Sequence, residues 1–155
     1  MTFRLHICSL LCVVAFTSCS PAQSEKLSKN ASEEYEIVTK QGINLADIFQ
    51  QEETEYLVFC HADTCSHCKE IIGDVIAFAQ ENIVKTYFLN VSIPTNKINK
   101  CSVNELTVGV SNYEDLYIAG TPTIIKVEDH LTTANIPGKD GCLTFLNEQR
   151  KKSYE

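Results

Sequence analysis

The segment TCSHCKE (residues 64–70) constrains the fold of this chain most strongly, because it stands between two segments of different periodicity. The run YLVFC (residues 56–60) precedes it and is too uniformly apolar to have one face in water, which is typical of a central strand covered on both sides. After it, apolar residues recur at helical spacing, namely Ile72, Val75, Ile76 and Ala79. The sequence therefore predicts a buried strand followed by an amphipathic helix from Cys65 to about residue 82.

Further elements are predicted before and after this unit. YEIVT (residues 35–39) has the composition of a strand, and residues 44–53 suit a helix that begins with Asn44 and has Asp47 three residues on. Residues 83–91 have the composition of another buried strand. Strand, helix and strand in this length predict a right-handed crossover with parallel pairing.

The second half of the chain predicts a loop, a hairpin and a helix. Residues 92–115 are polar and weakly periodic, so we expect a loop with one short helix. Two β-rich runs that meet around Asp129 and His130 indicate an antiparallel hairpin. Residues 139–152 end in basic side chains, which favours a closing helix because cations stabilise a helix C-terminus.

The N-terminal segment predicts export. One basic residue, Arg4, precedes an apolar stretch of about ten residues and then small residues, which is typical of a signal peptide over residues 1–18. FTSCS at its end resembles the lipobox of bacterial lipoproteins, and that resemblance implies lipidation of Cys19 and attachment to the membrane; otherwise Cys19 is incidental to an ordinary cleaved signal. Residues 19–35 read as a flexible tether and residues 36–155 as one domain.

Charge and cysteine number limit the partners. Removing residues 1–18 removes one basic and no acidic residue, so 12 Lys and Arg against 20 Asp and Glu give a net charge of −8. Such a surface argues against binding to nucleic acid. Five cysteines remain after Cys19, and because this number is odd, at least one thiol should be unpaired. We expect a monomer without a cofactor.

The cysteine pair has the spacing of a redox couple. A helix that begins at Cys65 presents free backbone N–H groups and the positive end of its dipole, both of which stabilise a thiolate. The pKa of such a thiol falls from about 8.5 into the range of roughly 3.5 to 7.5, so Cys65 becomes a nucleophile. Cys68, nearly one turn on, is close enough to attack a mixed disulfide formed at Cys65.

A strand, C-x-x-C at a helix start and a later Thr-Pro-Thr together resemble the thioredoxin superfamily over residues 36–152. The resemblance implies an α/β fold: a three-layer sandwich with a mixed central sheet, helices on both faces and an insert before the cis-proline strand. It also implies that Pro122 is cis and faces the cysteines, and that the backbone of Thr121 binds substrate. Without the resemblance, residues 120–122 are only a turn before an edge strand.

Two features adapt this pattern to a particular chemistry. Ser66 and His67 lie between the cysteines, and a partly positive His67 would stabilise the reduced form and make the pair more oxidising, unless it is merely a surface residue. Phe59 stands where relatives often carry a buried carboxylate, so the proton of Cys68 must reach water or another group. The interval from Cys65 to Pro122 is longer than in thioredoxin, and the extra residues lie in the segment around Cys101. We expect this segment, the insert, to influence which partners bind.

The predicted function is therefore an extracytoplasmic thiol-disulfide oxidoreductase that acts on cysteines of exported proteins. A redox partner would restore its active form. The direction of exchange is open, with oxidation or isomerisation favoured over reduction. Two alternatives remain open: binding or transfer of copper or zinc, and a partner-binding module without catalysis. The metal alternative would use four residues, namely His61, Cys65, His67 and Cys68. Cys60 is expected to be an inert buried thiol, whereas Cys101 and Cys142 could pair.

Overall fold

Four strands form a mixed sheet through the centre of the domain. A computed structural model describes residues 37, 38 and 40–154; the predicted signal peptide, Cys19 and tether lie outside them. The strands of the sheet are β1 (Glu55–His61), β2 (Lys85–Asn90), β5 (Thr123–Glu128) and β6 (Leu131–Pro137). Their order is β2-β1-β5-β6, with β1 parallel to β2 and antiparallel pairing at β1–β5 and β5–β6.

Strand β1 is the buried centre that its composition predicts. Residues 56–60 have no exposed surface, and the strand has a neighbour on each side. Alternate residues face opposite sides of a sheet, so Leu57 and Phe59 belong to one apolar cluster while Tyr56 and Val58 belong to the other. The two faces of β1 therefore serve two separate cores.

Both long helices cover the face that carries Phe59. Helix α1 (Ser66–Glu81) and helix α2 (Lys139–Lys152) pack there through Ile71, Val75 and Leu146. The guanidinium of Arg150 joins the helices, donating to both carboxylate oxygens of Glu81 at 2.8 and 2.9 Å. The predicted positions of both helices are confirmed.

The other face is covered by 3-10 turns and irregular chain within the described residues. The turns span Leu45–Asp47, Pro94–Asn96, Val103–Glu105 and Tyr113–Asp115, and a two-stranded ribbon pairs β3 (Asn99–Lys100) with β4 (Tyr117–Ile118). The fold is thus the expected thioredoxin-like three-layer α/β sandwich with an insert before β5. It differs in one layer, since turns rather than long helices cover the second face.

The strand predicted at residues 35–39 is wrong. Its described members, Ile37 and Val38, are helical, and the N–H of Gln41 donates to the Ile37 carbonyl at 2.9 Å, the i to i−4 bond of a helix. Both side chains pack on the core with α1 and α2. Pairing occurs later, at Gly42, which bridges Phe88 of β2 in parallel.

The helix predicted over residues 44–53 is reduced to the turn Leu45–Asp47. The Asn44 amide donates to the Asp47 carboxylate at 3.2 Å, but the Asn44 side chain accepts no backbone N–H of this turn, so the predicted helix cap is absent. Residues three apart share a face in a 3-10 turn, which allows Leu45 and Ile48 to enter the same core.

The hairpin and the insert follow from turn chemistry and composition. Asp129 and His130 connect β5 to β6 with φ of 48° and 63°, a conformation common for such residues in tight turns. The predicted loop over residues 92–115 contains three short turns where one short helix was expected. In the described part of the chain, no helix combines the length and apolar character required to cross a membrane.

Candidate active site

The antiparallel pairing of β1 and β5 assembles the site from distant parts of the sequence. Cys60 near the end of β1 pairs with Thr123 at the start of β5. Because antiparallel strands place the end of one beside the start of the other, the segment before Thr123 must lie next to the segment after His61. Residues 120–122 therefore meet the cysteine pair.

The cysteine pair occupies the first turn of α1, as predicted. Cys65 is the N-cap residue, and its Sγ accepts the N–H of Cys68 at 3.0 Å. A disulfide joins Cys65 to Cys68, whose Cα atoms are 5.3 Å apart. When the disulfide is reduced, the same N–H donor and the helix dipole stabilise a thiolate on Cys65.

The two sulfurs differ in their access to solvent. Cys65 is partly exposed, whereas only 2% of Cys68 is exposed. An incoming protein disulfide or thiol can therefore reach Cys65 but not Cys68. This asymmetry suits Cys65 to the first attack and Cys68 to the second, intramolecular attack.

The peptide bond between Thr121 and Pro122 is cis, as the resemblance implies. The Thr121 carbonyl oxygen lies 3.3 Å from Cys65 Sγ. A peptide that lies along residues 120–122 would bring its own sulfur close to Cys65. The predicted role of Thr121 and Pro122 in substrate binding is consistent with this placement and stays a proposal.

Ser66 and His67, the residues predicted to tune the pair, are exposed on the first turn of α1. His67 Nδ1 lies 3.5 Å from a carboxylate oxygen of Glu70. The other oxygen of Glu70 accepts a hydrogen bond from Lys139 at 2.7 Å, and this bond is the main reason that the pKa of Glu70 is lowered. His67 thus shares its acidic neighbour with a permanent cation.

A cleft of about 750 Å³ opens beside Cys65. Thr121 and the first turn of α1 form one side, and the insert forms the other side. Apolar side chains of the insert line it together with two cations: Val91, Ile93, Pro94, Ile98, Lys97 and Lys100. None of the described residues that line it is acidic, although the chain has 20 acidic residues. Sequence reasoning predicted that the insert matters but could not identify these residues.

A second cavity, of about 600 Å³, borders Cys68. His61, at the end of β1, lines it, as do Asp63 and Lys69. Among the functions considered from the sequence, only the metal-binding alternative assigned a role to His61. Its position two residues after Phe59 was a signal, since the strand alternation turns both side chains towards α1.

The metal alternative and the second disulfide are not supported. Within residues 37, 38 and 40–154, no three His, Cys, Asp or Glu side chains are grouped closely enough to hold a metal ion. Cys101 and Cys142 are unpaired, and Cys142 lies in the helix-covered core, where its thiol donates to the Ile136 carbonyl at 3.5 Å. Together with Cys60 they leave three free thiols among the described residues, as the odd number predicts.

Burial should make the free thiols differ in how fast they react with an alkylating reagent. Cys60 and Cys142 have no exposed surface, and burial raises the pKa of Cys60 and raises that of Cys142 to about 12. We expect brief treatment of the reduced, folded protein with iodoacetamide at pH 8 to modify Cys65 and Cys101 but neither buried thiol. Peptide mass mapping measures this, with urea-unfolded protein as the control; rapid labelling of Cys142 in the folded protein would contradict it.

Comparisons with known proteins find similar solved structures at low sequence identity. No protein-family model and no curated protein matches the sequence. Thioredoxin f2 of Chlamydomonas reinhardtii is 19% identical, with 69% of this chain and 93% of that chain covered and a TM-score of 0.48. The long form of thioredoxin f from spinach chloroplast is 14% identical, with 77% and 93% covered and a TM-score of 0.49. Thioredoxin of Fasciola hepatica is 16% identical, with 81% and 93% covered and a TM-score of 0.43.

The assignment of the fold depends on features of this chain itself. These are the β2-β1-β5-β6 order, the Cys65–Cys68 disulfide at the start of α1 and the cis bond before Pro122. They define a thioredoxin-like domain with a C-x-x-C redox site.

Proposed function

We propose that this protein is an extracytoplasmic thiol-disulfide oxidoreductase that acts on cysteines of other proteins. The observation that carries the proposal is the disulfide between a partly exposed Cys65 and a buried Cys68 at the start of α1. A disulfide that closes so short a loop constrains the unfolded chain little, so stability alone is a weak reason for it. Exchange of this bond with a partner is the better explanation.

The reaction proceeds in two exchanges. In the oxidising direction, a substrate thiolate attacks Cys65 Sγ, forms a mixed disulfide and releases Cys68 as the leaving group, which takes up a proton. A second thiolate of the same substrate then attacks the substrate sulfur of the mixed disulfide. The substrate gains a disulfide, and Cys65 leaves as a thiolate. The reverse sequence reduces a substrate disulfide, and two electrons are transferred in either direction.

The cleft supports a protein segment as the substrate. It provides apolar side chains on the insert side and the backbone of Thr121 on the other, with Cys65 between them. An extended segment in such a groove gains affinity from main-chain hydrogen bonds and specificity from the side-chain pockets. Thr121 and Pro122 would present the substrate, and the insert would select it.

Export is a further part of the proposal and is supported by the composition of residues 1–20. Cleavage before Cys19, with lipid attached to that residue, would leave residues 19–35 as a tether between membrane and domain. The clients are then cysteine-containing exported proteins, and a separate redox partner restores the active form of the pair. The domain is proposed to act as a monomer.

The direction of exchange depends on the redox potential of Cys65 and Cys68. A positive charge on His67 would stabilise the Cys65 thiolate, and stabilising the reduced form makes a pair more oxidising. We expect a potential less negative than the roughly −270 mV of thioredoxin, and a shift to more negative values in His67→Pro. Equilibration with glutathione buffers measures both, with His130→Asn as the control. A wild-type potential below −270 mV, or no shift in His67→Pro, would rule out the oxidising tilt.

A further inference from the structure

The buried thiol of Cys68 requires a proton acceptor before it can act as a nucleophile. Only 2% of the residue is exposed, and burial in apolar surroundings opposes formation of the thiolate. Phe59, which is fully buried beneath α1, supplies no acid or base. The described titratable side chains that line the cavity beside Cys68 are His61, Asp63 and Lys69.

His61 and Cys68 lie on the same side of the sheet. Side chains two apart on a strand point the same way, so His61 at the end of β1 follows Phe59 towards the side covered by α1. The two rings are stacked, with centroids 6.0 Å apart and planes 13° from parallel. The imidazole lies beside the Phe59 ring at the wall of the cavity that Cys68 also borders.

The cavity has the size and polarity needed for water. Its volume of about 600 Å³ far exceeds the ~30 Å³ that a water molecule occupies in the liquid. Three asparagines, Asn44, Asn90 and Asn96, line it together with the charged residues Asp63 and Lys69. Polar residues of this kind can hydrogen-bond to water. Water can therefore carry a proton between the Cys68 thiol and the His61 imidazole.

Of the groups in the cavity, His61 is the best suited to accept this proton. Burial lowers its pKa, and the nearby Asp63 charge opposes this only in part. A pKa below the usual 6.5 leaves the imidazole mostly neutral at pH 7, and a neutral imidazole has one acceptor nitrogen. Lys69 as a cation has no acceptor, while Asp63 is exposed and its Oδ1 already accepts a hydrogen bond from the Asn90 amide at 2.8 Å.

Building on the proposed oxidoreductase function, we propose that His61 exchanges the proton of Cys68 through the water of this cavity. When a mixed disulfide is resolved, the Cys68 proton passes by way of water to the imidazole. The Cys68 thiolate attacks Cys65 Sγ and forms the Cys65–Cys68 bond, while the substrate sulfur leaves as a thiolate and is then protonated. In the oxidising direction, His61 first takes up a proton from the water of the cavity and then passes it by way of water to the Cys68 sulfur as that sulfur leaves.

The test separates the two attacks. Reduced full-length protein is mixed with excess oxidised glutathione, quenched with acid at intervals and analysed by mass, with the glutathione-bearing cysteine located by peptide mapping. The formation rate of the mixed disulfide reports attack by Cys65, and its decay reports attack by Cys68. Wild type, His61→Gln and His61→Phe are compared from pH 5 to 9, since His61→Phe retains an aromatic ring against Phe59 but cannot accept a proton.

Both His61 variants should accumulate the mixed disulfide at pH 7, with a decay at least about tenfold slower than in wild type, because general-base assistance contributes typically 10²–10⁴-fold. The wild-type decay rate should rise through an inflection below pH 6.5 that both variants lack. Towards pH 9, the rising concentration of hydroxide ionises Cys68 with less need of His61, so the rates of the variants should approach that of wild type. This recovery at high pH also shows that the variants are folded.

Matched substitutions complete the experiment. His130→Asn, in the hairpin turn where Nδ1 lies 2.9 Å from the Phe49 carbonyl oxygen, should retain the wild-type profile. Three results would overturn the proposal for His61. The first two are a uniform slowing of both His61 variants at every pH and an unchanged pH profile in these variants. The third is an inflection that is lost in Asp63→Asn but kept in both His61 variants. If wild type forms no mixed disulfide at Cys65, the proposed oxidoreductase function itself fails.

Discussion

Replacing Cys65 with serine is expected to lower turnover of a dithiol or disulfide substrate by at least about a thousandfold, the scale seen when an enzyme loses its nucleophile. Cys65 is the partly exposed sulfur of the pair, and its Sγ accepts the Cys68 N–H that would stabilise a thiolate. A serine hydroxyl cannot form a mixed disulfide. Reduction of a fluorescently labelled disulfide peptide measures the loss.

The second cysteine gives the complementary result. Cys68→Ser should form the mixed disulfide at Cys65 but fail to resolve it, so a covalent complex with the peptide accumulates and is visible on a non-reducing gel. Cys101→Ser is the matched control, because Cys101 is a free, partly buried thiol of the insert that does not border the cleft. Wild-type turnover in both Cys65→Ser and Cys68→Ser would refute the proposed catalysis.

Replacing Phe59 with alanine is expected to remove about 3–5 kcal/mol from the free energy of unfolding, the usual cost of truncating a fully buried Phe. The ring has no exposed surface, meets Phe88 edge-on at 6.1 Å and stacks on His61. Because domains are stable by only about 5–15 kcal/mol, this is a large fraction of the total. The melting temperature should fall by more than about 10 °C.

The control for this substitution is an exposed apolar residue of the same chain. Val108 is 57% exposed, and Val108→Ala should change the free energy of unfolding by no more than about 0.5 kcal/mol. Urea denaturation followed by circular dichroism measures both variants. A loss below about 1 kcal/mol in Phe59→Ala would contradict the assignment of Phe59 to a tightly packed core.

The correct sequence predictions concern elements whose neighbours along the chain determine them. Short stretches of consecutive residues determine each of these elements. They are the uniformly apolar β1, the periodic apolar face of α1 and the basic last turn of α2. The cysteine pair was placed correctly because the boundary between β1 and α1 is equally local. Even the cis bond before Pro122 followed from recognising an ordered pair of motifs.

The wrong predictions concern segments with weak local preference. Ile37 and Val38 favour strands by composition, yet they form a helical turn that packs on the core beside α1. The turn Leu45–Asp47 stops short of a full helix while burying Leu45 and Ile48 in the opposite core. In both places, burial against the sheet outweighs intrinsic propensity, which differs by only about 1 kcal/mol per residue.

The sequence by itself determined the central strand, the helix that follows it and the position of Cys65 and Cys68 at the start of that helix, because these depend on residues adjacent in the chain. Only the tertiary structure decided what surrounds the sulfurs: Thr121 beside Cys65, the insert across the cleft and His61 at the cavity behind Cys68. The physical reason is that strand pairing and packing bring together residues far apart in the chain, such as Cys65 and Thr121, which are 56 positions apart. Local periodicity carries no information about such contacts.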